Sequence, residues 1–171
     1  FDSIPQELYY VEEGTCSVCH VSLNTTADPA GLTAAELLKV LSFQYDHSEN
    51  ENRSFSEPWL NNILEMCRKE LQTGYVFFPE TGIRDLEPLR AFSPEGLIVL
   101  TADKGSHKIE QVIYQEAPQI VKHGSFSLTV NYHAFALYTA TAGGSFLFPD
   151  RNYGSINTGC ILFTKETDKY S

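Results

Sequence analysis

Positive charge is scarce in this chain: 12 Lys and Arg stand against 22 Asp and Glu, for a formal net charge of −10. A nucleic-acid-binding domain needs a basic footprint to displace counterions from phosphate, and none is present. An anionic membrane surface repels the chain for the same reason. Long apolar runs are also missing. Nothing approaches the roughly 18 residues a spanning helix requires, so no membrane span is expected in this segment. The sequence contains no G-x-S-x-G elbow, no G-x-x-x-x-G-K-[ST] loop, no H-E-x-x-H and no G-x-G-x-x-G. Hydrolase, nucleotide, zinc-protease and dinucleotide chemistry therefore go unannounced. There is no internal repeat and no low-complexity tract. Met and Trp occur once each, as Met66 and Trp59.

Apolar residues make up 42% of the 171, enough to form a real core. The nine Tyr and eleven Phe favour strands and aromatic packing. The negative charge is uneven: residues 1–60 hold ten acids and two bases, and the remaining residues twelve and ten. An acidic third of this kind keeps a domain soluble, and it suits a basic partner or a cation. The chain begins at Phe1 with no initiator Met and no signal-peptide pattern, as expected of a mature, processed or excised segment. Two glycosylation sequons, at Asn24 and Asn52, fall in polar stretches.

Helical signals are strongest early. Thr33 and Glu36 form a capping box before Leu37, Leu38 and Leu41, predicting a helix over 33–43. Ser56 as N-cap, Pro58 in the first turn and Gly74 beyond the end predict a second helix over 57–72. Its stripe is Trp59, Leu60, Ile63, Leu64, Cys67 and Leu71. Residues 45–54 read as a polar loop, and 80–94 as turn-rich. Strands are predicted at 75–78, 97–101, 109–115, 119–122, 145–148 and 155–164. The alternation of Phe126, Leu128, Val130, Tyr132, Ala134, Ala136 and Tyr138 predicts a long strand over 125–140, with His133 on its polar face. The expected fold is one α+β domain over 1–171. It comprises an N-terminal arm (1–30), a helical part (31–74) and a β-rich part (75–171). Two N-terminal helices pack on a mainly antiparallel sheet or sandwich made by the C-terminal half.

Four cysteines dominate the chemical reading: Cys16, Cys19, Cys67 and Cys160. Their even number suits two disulfides, with Cys16 and Cys19 tying the arm to Cys67 on the helix and Cys160 on the last strand. That framework implies an exported protein, in the extracellular space or the secretory lumen. The competing reading takes Cys16-Ser17-Val18-Cys19-His20 as a haem attachment site, with Met66 or His47 as sixth ligand. The run from Tyr9 to His20 resembles the first helix of small c-type cytochromes, which implies haem c and a periplasmic setting. Zinc would need a second paired ligand element, and Cys67 and Cys160 are isolated.

The expected function is accordingly a disulfide-stabilised binding or assembly module, non-enzymatic and without cofactor, that recognises a protein partner. The runner-up is a monohaem protein for electron transfer or gas binding. Candidate contact residues are Asp46, His47, Glu49 and Glu51 in the acidic loop, and Arg151 and Tyr153 in the turn 149–154.

Overall fold

A computed structural model describes residues 6–52, 54–119, 121–122, 126–150 and 156–164. In chain order its elements are β1 (Glu7–Glu12), β2 (Thr15–Asn24), α1 (Ala34–Val40), β3 (Ser42–Asn52), α2 (Pro58–Lys69), β4 (Thr73–Phe78), α3 (Glu80–Phe92), β5 (Gly96–Asp103), β6 (Gly105–Ser106), β7 (Ile113–Tyr114), β8 (Val121–Lys122), β9 (Phe126–Ser127), β10 (Val130–Asn131), α4 (Tyr132–Thr141), β11 (Ser145–Leu147) and β12 (Asn157–Thr164). Single 3-10 turns occupy Pro29–Gly31 and Ile109–Gln111.

Two antiparallel sheets carry the architecture. The larger runs β3-β2-β1-β4-β7 and the smaller β11-β12-β5. The pairs β10–β6 and β8–β9 are short ladders. One core joins the layers: Tyr9, Val11, Val76 and Phe78 from the large sheet meet Leu60, Ile63, Leu64 and Cys67 of α2, Ile83 and Leu86 of α3, Phe135 and Tyr138 of α4, and Ile161 and Phe163 of the small sheet.

The expected architecture is overturned, although the α+β class holds. Strands β1–β3 come from the N-terminal half, and helices α3 and α4 from the C-terminal half, so helices and strands are interspersed. Residues 7–24 supply inner strands of the large sheet. They turn tightly at Glu13 and Gly14, whose φ angles of 47° and 80° are those of a two-residue hairpin turn. The polar stretch 45–54 falls largely within β3, an edge strand of the large sheet. Edge strands need no apolar face and are often charged, so composition read it as a loop.

The helices show which local signals held. Thr33 caps α1 through the predicted box, with Glu36 N–H donating to Thr33 Oγ1 at 3.3 Å and Thr33 N–H to Glu36 Oε2 at 2.9 Å. On α2 the N-cap is Glu57, not Ser56, and Pro58 begins the helix. The stretch 80–94, expected to be turn-rich, is mostly the helix α3, which forms despite Pro88; that proline sits exposed while Ile83 and Leu86 face the core. The predicted strand over 125–140 is mostly the helix α4. It buries Tyr132, Ala134, Phe135, Tyr138 and Thr139, leaving no polar stripe to betray its period. Asn131 starts it: its Oδ1 accepts from Ala134 N–H at 3.1 Å, while its Nδ2 donates to the Phe77 carbonyl at 2.8 Å. Strand β6 passes close to the start of this helix. A Cβ on Gly105 would lie 2.6 Å from the Tyr132 ring and the Val130 carbonyl.

Asn131 thus caps a helix and satisfies a buried carbonyl of β4. Asn131→Ala removes both bonds and is expected to cost about 2–4 kcal/mol. Urea unfolding, with an unchanged denaturant slope, measures it.

Candidate functional site

Strand β2 carries the Cys-x-x-Cys-His run. Side chains alternate along a strand, so an offset of three places Cys16 and Cys19 on opposite faces. Cys16 packs with Val18 against the main core, which contains Cys67. Cys19 lies on the far face with Leu8 and Phe77. Cys160 is on the small sheet. All four thiols are unpaired, which corrects the expected disulfide framework. Register splits the pair: Cys16 faces the core that holds Cys67, whereas Cys19 lies on the opposite face of β2, and Cys160 is on the small sheet. Burial pushes the Cys67 thiol up to about 12 and the Cys16 thiol up to about 11, the latter against the lowering influence of Arg68. Burial also raises Cys19.

The same geometry does not fit haem. Two thioethers to one porphyrin edge need both sulfurs on one side, and β2 sends them to opposite sides. His20 is exposed, opposite Asp46 of β3. Met66, at 37% exposure, lies outside the buried stripe of α2. Among the described residues no group of three or more His, Cys, Asp or Glu is placed to hold a metal ion.

The other sequence candidates are dispersed. Asp46 and His47 lie on β3, with His47 opposite Cys19. Glu49 and Glu51 belong to the same strand, but their side chains fall outside the described residues, as do Arg151 and Tyr153 entirely. Asn24 is exposed at the end of β2, its Nδ2 donating to Gln44 Oε1 at 2.7 Å. The Asn52 side chain is outside the described set. His133 is on α4, its Nδ1 3.1 Å from the His107 carbonyl oxygen and its Nε2 3.4 Å from Glu70 Oε1. Trp59 stacks obliquely on Tyr138 with ring centres 5.5 Å apart.

Two surfaces that the sequence did not single out emerge from strand register. The first is the outer face of the large sheet. Ser17, Tyr10, Tyr75 and Tyr114 lie side by side across β2, β1, β4 and β7. The Tyr10 ring is central, 4.1 Å from His47 and 4.8 Å from Tyr75 between centres. Burial raises the Tyr10 hydroxyl, helped by the Glu12 carboxylate hydrogen-bonded to it, so the ring stays neutral. Alternation of Leu8, Tyr10 and Glu12, matched by Tyr75 and Phe77, was the available sequence signal.

The second is the outer face of the small sheet. Register aligns Leu147, Cys160 and Leu100 in one row and Ser145, Leu162 and Ile98 in the next. Their neighbours Phe146, Ile161 and Val99 point into the core. Leu100 is 79% exposed, Ile98 65% and Leu147 47%. No ionisable side chain apart from the Cys160 thiol interrupts these rows.

The strongest charge cluster outside these faces joins two helices. Arg84 of α3 donates to Glu57 at the start of α2, Nε to Oε1 at 2.8 Å, and to Glu80 Oε1 at 2.8 Å. The Arg84 guanidinium and the Ser56 hydroxyl hold the Glu57 carboxyl down at about 2. It is a structural clasp between the two helices.

Comparison with known proteins adds no constraint: no family model, no curated protein and no solved structure matches the chain.

Unfolding in denaturant without reductant should expose four alkylatable thiols, while native protein at pH 8 should leave Cys67 unlabelled; peptide mapping by mass spectrometry reads both. The Glu57 clasp predicts an acid-sensitive contribution. Its folded carboxyl lies below the ordinary value of 4.5, so the stabilisation is full above that pH and is lost as pH falls towards about 2. Glu57→Gln should flatten the dependence of stability on pH within that window, measured by urea unfolding at successive pH values.

Proposed function

We propose that the protein is a non-enzymatic binding or assembly module that docks a protein partner on the outer face of the β11-β12-β5 sheet. The observation that carries this reading is the row Leu147–Cys160–Leu100 beside Ile98, apolar and open to solvent. Strands β5 and β12 read Leu-Ile-Val-Leu and Cys-Ile-Leu-Phe, apolar on both faces, a pattern typical of strands covered on both sides. Helices and the core cover one side here. Fully burying a Leu or Ile side chain contributes about 1.5–3 kcal/mol, so covering the other side is a substantial driving force. Exposed contiguous apolar surface of this kind marks interaction sites.

Strand β5 is one of the two edges of this sheet, so a partner can add backbone hydrogen bonds to side-chain contacts. With the cysteines unpaired, an exported location rests on the exposed sequon at Asn24.

Leu100→Lys tests the reading. The side chain lies outside the core, so unfolding free energy should change by no more than about 0.5 kcal/mol. Partners captured by the wild-type protein from its source extract should be lost with the variant. An unchanged set of captured proteins would remove the sheet face from the function.

A further inference from the structure

The large sheet offers a second surface of different chemistry. Beside Tyr10 lies a cavity of about 450 Å³ lined by Tyr10, Glu12, Glu13, Thr15, Ser17 and His47. Its existence follows from side-chain size. On β2 the positions facing it are Thr15 and Ser17, both small, beside the bulkier Tyr10 on β1, while His47 on β3 is opposite the next residue of that face, Cys19. The pairing of β2 with β3 also breaks there, jumping from Ser17↔Asn52 to Cys19↔His47. One wall is aromatic, with Tyr10 and His47 tilted by 35° to one another. The other wall is the hairpin carrying Glu12 and Glu13, and neither carboxylate forms an ion pair with a described Lys or Arg.

We propose that this cavity binds an arginine side chain presented by a basic peptide segment of a partner protein. An aromatic face attracts a cation through its quadrupole, most strongly when the cation is partly desolvated. A guanidinium is planar, weakly hydrated and donates in a fork. It can lie against Tyr10 while its N–H groups reach the hairpin carboxylates. An ammonium is compact and strongly hydrated, and uses neither the flat wall nor the paired acceptors as well. The N-terminal sixty residues carry ten acids and two bases, and the cations bordering Glu13 from outside that stretch are Arg68 and Lys69. This site is separate from the apolar face of the small sheet, and each can fail without the other.

The experiment titrates the intact protein with acetyl-Gly-Arg-Gly-amide, followed by two-dimensional NMR. The same tripeptides containing lysine and citrulline serve as arms, citrulline matching arginine in shape without its charge. Saturable shifts centred on Tyr10, Ser17 and His47 are expected with arginine, with citrulline binding at least about tenfold more weakly. Glu12→Gln combined with Glu13→Gln should weaken arginine binding about tenfold while leaving resonances elsewhere unmoved. Thr15→Arg, which fills the cavity from its floor, should abolish it. Equal binding of citrulline, lysine binding as tightly as arginine, or shifts that do not saturate or that centre elsewhere would each overturn the proposal.

Discussion

The middle strand of the large sheet, β1, is the constraint from which the rest follows. Its side chains alternate strictly: Tyr9 and Val11 go to the core, Leu8 and Tyr10 to the outer face. Both neighbours are locked to it in register, Val11 facing Cys16 on one side and Gly74 on the other. A slip of one residue would exchange the faces of β1 and put Tyr10 and Glu12 into the core. The same alternation separates Cys16 from Cys19. Two cysteines three apart could serve one cofactor or one bridge on a helical turn, but on this strand they belong to different packing environments.

Helices α2, α3 and α4 meet the two sheets in one core, and polar side chains hold them at their ends. Asn131 fastens the start of α4 to β4, and Arg84 ties α3 to the beginning of α2. Arg90 of α3 lies 4.3 Å from the centre of the Phe163 ring and donates to the Ala142 carbonyl at 3.0 Å, joining the small sheet and the end of α4. These bonds are partly buried, where an unpaired group would be costly, so they fix the mutual orientation of elements that apolar packing alone would leave adjustable.

The two outer surfaces offer different kinds of recognition. That of the small sheet is neutral and aliphatic, suited to burial of area and to pairing along a free edge. That of the large sheet is aromatic and acidic, suited to a cation held by rings and carboxylates. The first favours affinity through desolvation, while the second favours selectivity through charge and shape. The first lies outside the shared core, whereas the second adjoins a smaller buried cluster of Leu8, Cys19 and Phe77.

The amino-acid sequence by itself determined the acidic balance, the capped helix α1, the proline-started helix α2 and most later strands, because caps, prolines and apolar runs act within a few residues. It misplaced α3, since Gly82 and Pro88 read as turn residues, α4, since a helix buried on nearly all sides shows no amphipathic period, and β3, since an edge strand can be polar throughout. The fates of the cysteines and the composition of the two surfaces were decided only by tertiary structure. Which face of a sheet a residue joins, and what lies beside it, depends on register between strands far apart in the chain, and no local pattern encodes that register.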